Sequence, residues 1–191
     1  MLTAIIATHE SERALVPTLA ALVPGATSGL LSEVILTDAA SRDATAEVAE
    51  IAGCRFLSSS APLGVRLKEA AASARTPWLL FLRPGAVPEP GWFDVAASFI
   101  RTMRTRGERR AATFQARPVS EAAGLRAFWL LLNGLARRGP SPDQGLLISA
   151  AHYDTIEGHP EGDDAERLLL HRIGRRGIAT LPAAMTMRSE T

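Results

Sequence analysis

Trp78-Leu79-Leu80-Phe81-Leu82-Arg83-Pro84-Gly85-Ala86-Val87-Pro88-Glu89-Pro90-Gly91-Trp92 is the stretch that decides how the rest of the chain is read. Its first five residues are all apolar, the pattern of a strand buried on both faces, as at the centre of a parallel sheet. Arg83-Pro84-Gly85 ends that strand, because proline has no N–H to give to a ladder and glycine permits the turn. The chain therefore leaves the carboxyl end of a central strand as a loop that carries a charge. In open α/β sheets ligands bind outside the carboxyl ends of the strands. A site is expected around Arg83.

Segments of strand and helix character alternate on the amino-terminal side. Residues 2–7 read as a first strand and 8–12 as a polar loop. A helix over 13–23 places Leu15, Leu19, Leu22 and Val23 on one face, with Pro17 marking its first turn. Residues 33–37 are a second strand and 38–43 a polar loop, in which Ser41 or Asp43 can cap a helix that runs to about Ala52 and stops at Gly53. Residues 54–57 are a third strand, 58–64 a loop and 65–74 an alanine-rich helix favoured by propensity. After the central strand, residues 91–103 form a helix with Trp92, Val95, Phe99 and Met103 on one side. This alternation predicts an α/β fold with a mostly parallel central sheet flanked by helices. Right-handed crossovers then bring the loops 8–12, 38–43 and 83–90 to one edge.

The carboxyl-terminal part is less regular. Residues 101–110 hold five arginines, the mark of a solvated helix end and loop. Strands are expected at 111–116, 145–149 and 178–181, and helices at 121–137 and 164–173. The middle of the first of these helices, Phe128-Trp129-Leu130-Leu131-Leu132, lies beside Arg126, Arg137 and Arg138. It reads either as a core helix or as a peripheral contact with a lipid surface.

Composition narrows the function classes. The 191 residues suffice for one domain with a full core, and a net charge of +1 argues against a strongly cationic nucleic-acid binder. Cys54 is the single cysteine, so no internal disulfide and no cysteine-based zinc site is expected, which suits a reducing, cytoplasmic setting. No basic leader precedes the first strand, so no signal peptide is expected. No apolar run approaches the ~20 residues of a membrane span. The four histidines lack metal-binding spacing, and no glycine-rich phosphate loop is present.

Three groups carry chemistry, the third with a basic run downstream of it. Asp38, just past the second strand, can accept hydrogen bonds from a base or ribose, or simply cap its loop. Asp143 and Gln144 before a strand can orient a polyol, or merely make the turn. Asp163 and Asp164 open a helix, where a carboxylate serves either as general base or as N-cap. The run His171-Arg172-Ile173-Gly174-Arg175-Arg176 can contact phosphate, or end the helix with favourable cations.

The order of these blocks resembles the family 2 glycosyltransferases of GT-A fold, and within them a small bacterial subgroup of radical-SAM/selenodomain-associated transferases. Ile5-Ile6-Ala7-Thr8-His9-Glu10 is similar to the family's opening strand and loop. Asp38-Ala39-Ala40-Ser41-Arg42-Asp43-Ala44-Thr45 resembles Asp-Gly-Gly-Ser-Arg-Asp-Gly-Thr with alanine for each glycine. Leu80-Phe81-Leu82 and Pro88-Glu89-Pro90-Gly91-Trp92 are similar to the flanks of the family's metal motif. Asp143-Gln144-Gly145 resembles its Gly-Asp-Gln-Gly segment, and residues 157–164 its Gly-Gly-Phe-Pro-Glu and Glu-Asp blocks.

The resemblance implies a single GT-A domain over 1–191, with a nucleotide-binding half (1–103) and an acceptor or catalytic half (104–191). It implies a UDP- or GDP-linked sugar donor held through Thr8, Glu10, Asp38, Arg83 and Arg172. It implies an acceptor near Asp143 and Gln144, and Asp163 or Asp164 as the base of an inverting displacement. One departure stands out. The family's Asp-x-Asp motif holds a divalent metal on the donor diphosphate, and here those positions belong to Arg83-Pro84-Gly85. A hard cation wants several oxygen ligands, so a divalent metal is expected to be absent or weakly held. Arg83 then either replaces the metal's charge or marks a homologue that has lost catalysis and serves as a binding or scaffold module.

Overall fold

The computed structural model describes residues 1–117 and 139–188. The helix expected over 121–137, with its core and lipid-surface alternatives, lies outside the described residues. The elements in chain order are β1 (Leu2–Thr8), α1 (Glu12–Thr27), β2 (Leu31–Asp38), α2 (Thr45–Ile51), β3 (Arg55–Ser58), α3 (Leu63–Ser73), β4 (Trp78–Leu82), β5 (Ala86–Pro88), α4 (Trp92–Arg106) and β6 (Ala111–Arg117). After the gap come a 3-10 turn (Pro142–Gln144), β7 (Leu146–Ser149), α5 (Ala150–Thr155), α6 (Ala165–Gly177) and β8 (Ile178–Met187).

The described strands form one eight-stranded sheet in the order β3-β2-β1-β4-β7-β6-β8-β5. Its first four strands are parallel. β7 then runs antiparallel to β4. The sheet is thus mostly parallel, as expected, with β7 and the edge strand β5 running against the rest. β4 sits in its middle, and all five of its residues are buried. Its continuous apolar run follows from having two covered faces: Trp78, Leu80 and Leu82 join the core on the side of α1 and α4, while Leu79 and Phe81 join the core on the side of α3 and α6.

Other boundaries move for local reasons. α1 begins at Glu12, so Pro17 lies inside the helix and not in its first turn. The carbonyl that loses its partner to this proline belongs to Arg13, which is exposed. Ala86–Pro88 is a short strand where a loop is expected, and Pro88 is tolerated there because β5 is the sheet's edge. β8 continues past the expected end at Leu181 to Met187. Its register against β6 jumps from Phe114↔Leu181 to Gln115↔Ala184, which leaves Pro182 and Ala183 in a bulge.

Candidate functional site

β1, β2 and β4 are parallel and end side by side, with Thr8 opposite Asp38 and Ile6 opposite Leu82. Their loops are stitched together by side chains. The Glu10 N–H donates to Ser41 Oγ at 2.8 Å, and the Arg42 N–H donates to Glu10 Oε1 at 2.7 Å. At the starts of α1 and α2 the exchange is reciprocal: the Glu12 N–H donates to Asp43 Oδ2 and the Ala44 N–H to Glu12 Oε2, both at 3.0 Å.

Asp38 lies beneath this edge, 1% exposed. It accepts from Thr8 Oγ1 at 2.8 Å, from the Ser41 N–H at 2.7 Å and from Ser41 Oγ at 2.6 Å. Within that loop Ala40 has φ +56°, in the left-handed region that suits glycine.

The Arg83 loop is held from both sides. The Gly85 N–H donates to Ala14 O and to Thr18 Oγ1, each at 2.9 Å, and the Arg188 N–H donates to Gly85 O at 2.8 Å. Gly85 has φ +84°, and a Cβ there would lie 2.5 Å from Arg188 O, so glycine is required. The Arg83 guanidinium lies between two carboxylates. Its Nε donates to Glu166 Oε2 at 2.8 Å and its Nη2 donates to the same oxygen. Its Nη1 donates to Asp143 Oδ1 at 3.1 Å. Burial alone lowers the pKa of this guanidinium; the hydrogen bonds and charges of Glu166 and then Asp143 outweigh burial, and the net shift is upward.

A cleft of about 510 Å³ opens over the ends of β1 and β4. Thr8, Glu10, Arg66, Arg83, Asp143, Glu166 and Arg188 are among the residues that line it. Arg66, 6% exposed, donates from Nε to Ala61 O at 3.1 Å and from Nη1 to Thr37 O at 2.6 Å. Burial pushes its pKa down, and the charges of Asp38 and Asp163 oppose that. A second cleft of about 230 Å³ is lined by Arg83, Ser141, Pro142, Asp163, Asp164, Glu166 and Arg167. Asp164 is exposed and pairs with Arg167 at 3.2 Å.

Of the residues singled out in the sequence, Thr8, Glu10, Arg83 and Asp143 line the main cleft, and Asp163 and Asp164 meet Arg83 in the second. Gln144 and Arg172 are not brought to either. Gln144 donates from Nε2 to Phe114 O and accepts the Ser141 N–H on Oε1, both at 2.7 Å, so both ends of its amide hold the turn. Arg172 donates to Ile156 O at 2.7 Å and to Gly158 O at 3.2 Å. Neither Asp163 nor Asp164 caps α6 through its side chain.

Glu166 and Arg66 were not anticipated. Their signal is a charge on an apolar stripe: Glu166 precedes the buried Leu169 and Leu170 at helical spacing, and Arg66 stands beside the buried Leu67, Ala70 and Ala71. A buried charge carries more information than an exposed apolar residue. Among the described residues no group of three or more His, Cys, Asp or Glu side chains is arranged to hold a metal ion. The carboxylates nearest the loop are closed around a guanidinium, an arrangement that does not fit a hard cation there.

Behind β4, His159 is 2% exposed and lies edge-on to Phe81, with ring centroids 4.7 Å apart. The Tyr153 hydroxyl is 2.8 Å from His159 Nδ1 and accepts the His159 N–H at 3.1 Å. Burial pushes the histidine pKa down to about 3 and the tyrosine pKa up to about 12. The pair fixes the loop before α6 against the sheet.

No family model and no curated protein matches the chain. Solved structures do. TarS from S. aureus in complex with UDP-GlcNAc is similar at a TM-score of 0.71 with 18% identity, over 100% of this chain and 59% of that one. A second structure of TarS, residues 1–349, gives 0.69 with 16% identity, over 100% of this chain and 58% of that one. Glucosyl-3-phosphoglycerate synthase from Mycobacterium tuberculosis, in complex with Mn2+, UDP and glucosyl-3-phosphoglycerate, gives 0.68 with 18% identity, over 100% and 73%. The chain thus spans less than two thirds of the length of TarS. The fold is that of the GT-A glycosyltransferases.

Proposed function

We propose that this chain is a glycosyltransferase-like protein of the family 2 type that binds a nucleotide-sugar diphosphate in the cleft over β1 and β4 without a divalent cation. One observation carries the reading. Arg83 leaves the carboxyl end of the central strand inside that cleft and is fixed there by Glu166 and Asp143. A guanidinium holds phosphate through paired hydrogen bonds and keeps its charge at any working pH. Charge fixed near a leaving group stabilises its departure. The solved structures of similar fold include complexes with UDP and with UDP-GlcNAc, which supports a UDP-linked donor over other ligands.

On this reading residues 1–103 bind the nucleotide, with Thr8 and Glu10 in the cleft and the buried Asp38 holding their edge from beneath, and residues 104–191 serve the acceptor. The acceptor hydroxyl attacks the anomeric carbon, Asp164 or Asp163 takes its proton, and the bond to the diphosphate breaks to release the nucleotide. Calorimetric titration of UDP and GDP, with EDTA and then with manganese, tests it. Binding is expected to persist in EDTA and to weaken about tenfold or more in Arg83→Ala, the worth of a charged hydrogen-bonded pair. A strict requirement for manganese overturns the reading. Asp164→Asn is expected to abolish transfer and leave donor binding intact.

A second reading rests on the same residues. Glu166 and Asp143 already balance the charge of Arg83, and Ala40 sits where glycine is more comfortable. Both features suit a binding module that has lost catalysis. Nucleotide binding without hydrolysis or transfer of any donor sugar supports that module.

A further inference from the structure

The two carboxylates on Arg83 are not equivalent, and the difference assigns them separate tasks. Glu166 takes both Nε and Nη2 on one oxygen, and its side chain is 11% exposed. It projects from the first turn of α6, whose next turn is buried through Leu169 and Leu170. Asp143 takes only Nη1, its side chain is 50% exposed, and it stands on a 3-10 turn. A buried carboxylate that holds two donors from a packed helix fixes the guanidinium plane. The other Asp143 oxygen accepts Ser141 Oγ at 3.3 Å. A half-exposed carboxylate on a single guanidinium N–H is held to it by an interaction that water and salt already weaken.

Resting on the donor-binding reading above, we propose that Glu166 is a positioning residue that aims Arg83 into the cleft, and that Asp143 is an exchangeable counter-ion which a phosphate group of the incoming ligand displaces from Nη1. The ligand class follows from the geometry. It must bring a tetrahedral anion that can take over the Nη1 N–H held by Asp143 while Glu166 keeps its bonds to Nε and Nη2. No bond is made or broken in this exchange. Arg83 remains charged, and one carboxylate oxygen is replaced by one phosphate oxygen.

Charge alone and geometry predict opposite results for one of the two carboxylates. Removing either negative charge brings the cleft closer to a diphosphate's preference, so simple electrostatics expects Asp143→Asn and Glu166→Gln both to tighten binding. Exchange at Asp143 with positioning by Glu166 expects opposite signs. The experiment is calorimetry with UDP and GDP in EDTA, on the wild type, Asp143→Asn, Glu166→Gln, Arg83→Ala and the Arg83→Ala/Asp143→Asn double variant. Asp143→Asn is expected to tighten binding about fivefold, and Glu166→Gln to weaken it about tenfold. In the Arg83→Ala background Asp143→Asn is expected to change affinity less than about twofold, because the two act as a unit.

Binding that shifts in the same direction in both carboxylate variants overturns this proposal and leaves the donor-binding reading standing. An Asp143→Asn effect that survives without Arg83 does the same. Absence of nucleotide binding in every form overturns both. Should Glu166→Gln fail to fold, the cycle between Arg83 and Asp143 still decides the exchange, since Asp143 lies on an exposed turn.

Discussion

Ala40 holds a backbone shape that costs an L-residue with a Cβ about 1–2 kcal/mol. Glycine removes that cost but gives back about 0.5–1 kcal/mol through its freer unfolded chain. The Ala40→Gly variant is therefore expected to be more stable by up to about 1 kcal/mol, seen as a higher urea midpoint at an unchanged slope. A lower midpoint would mean that the Asp38 loop is not strained. Asp38 and its loop were legible in the sequence because a polar cluster after an apolar run needs no partner to be recognised. Gln144 stays ambiguous in the sequence because its amide looks the same whether it faces a ligand or a carbonyl; the fold shows the turn. Glu166 escaped notice because its meaning depends on Arg83, far away in the chain and adjacent only in the fold.

At the level of elements, α3 meets the loop before α6 at one point. The Gly64 N–H donates to Gly162 O at 3.0 Å, and a Cβ on Gly64 would sit 1.8 Å from Pro160 O. Backbone cannot yield as a side-chain tip can. Gly64→Ala is expected to cost about 2–3 kcal/mol, the upper range for overpacking, measured by thermal or urea unfolding. A loss below about 0.5 kcal/mol would show that the loop swings free of α3. The parallel half was legible because each strand and helix there buries its own periodic face. β5 and the second half of β8 were not, because prolines punctuate them and distant partners make them strands: β8 for β5, and β6 and β5 for β8. β7 was recognisable as a strand, but nothing in its own residues states its direction.

Across the whole molecule, two imidazoles contribute to acid sensitivity, the buried His159 and the partly buried His152. Burial holds His159 at a pKa of about 3, against an ordinary 6.5, and burial with the charge of Arg109 lowers that of His152. A neutral group that must charge on unfolding binds more protons in the unfolded state. Stability from His159 is whole above about pH 6.5 and falls as the pH drops from there toward 3, by up to about 1.4 kcal/mol per pH unit. Unfolding midpoints between pH 7 and pH 5 are expected to fall less steeply in His159→Gln than in the wild type. Equal slopes would place the acid sensitivity elsewhere.

The Arg188 N–H that closes on Gly85 O belongs to the far end of the chain, just past a strand that pairs with the residues immediately after the Arg83 loop. During synthesis that loop emerges about a hundred residues before its clasp, roughly 5–20 s at ordinary translation rates. Until then its proline-rich edge has no ladder to join. Among the described strands this edge is thus the last to be finished, and the cleft over β1 and β4 stays incomplete until it is.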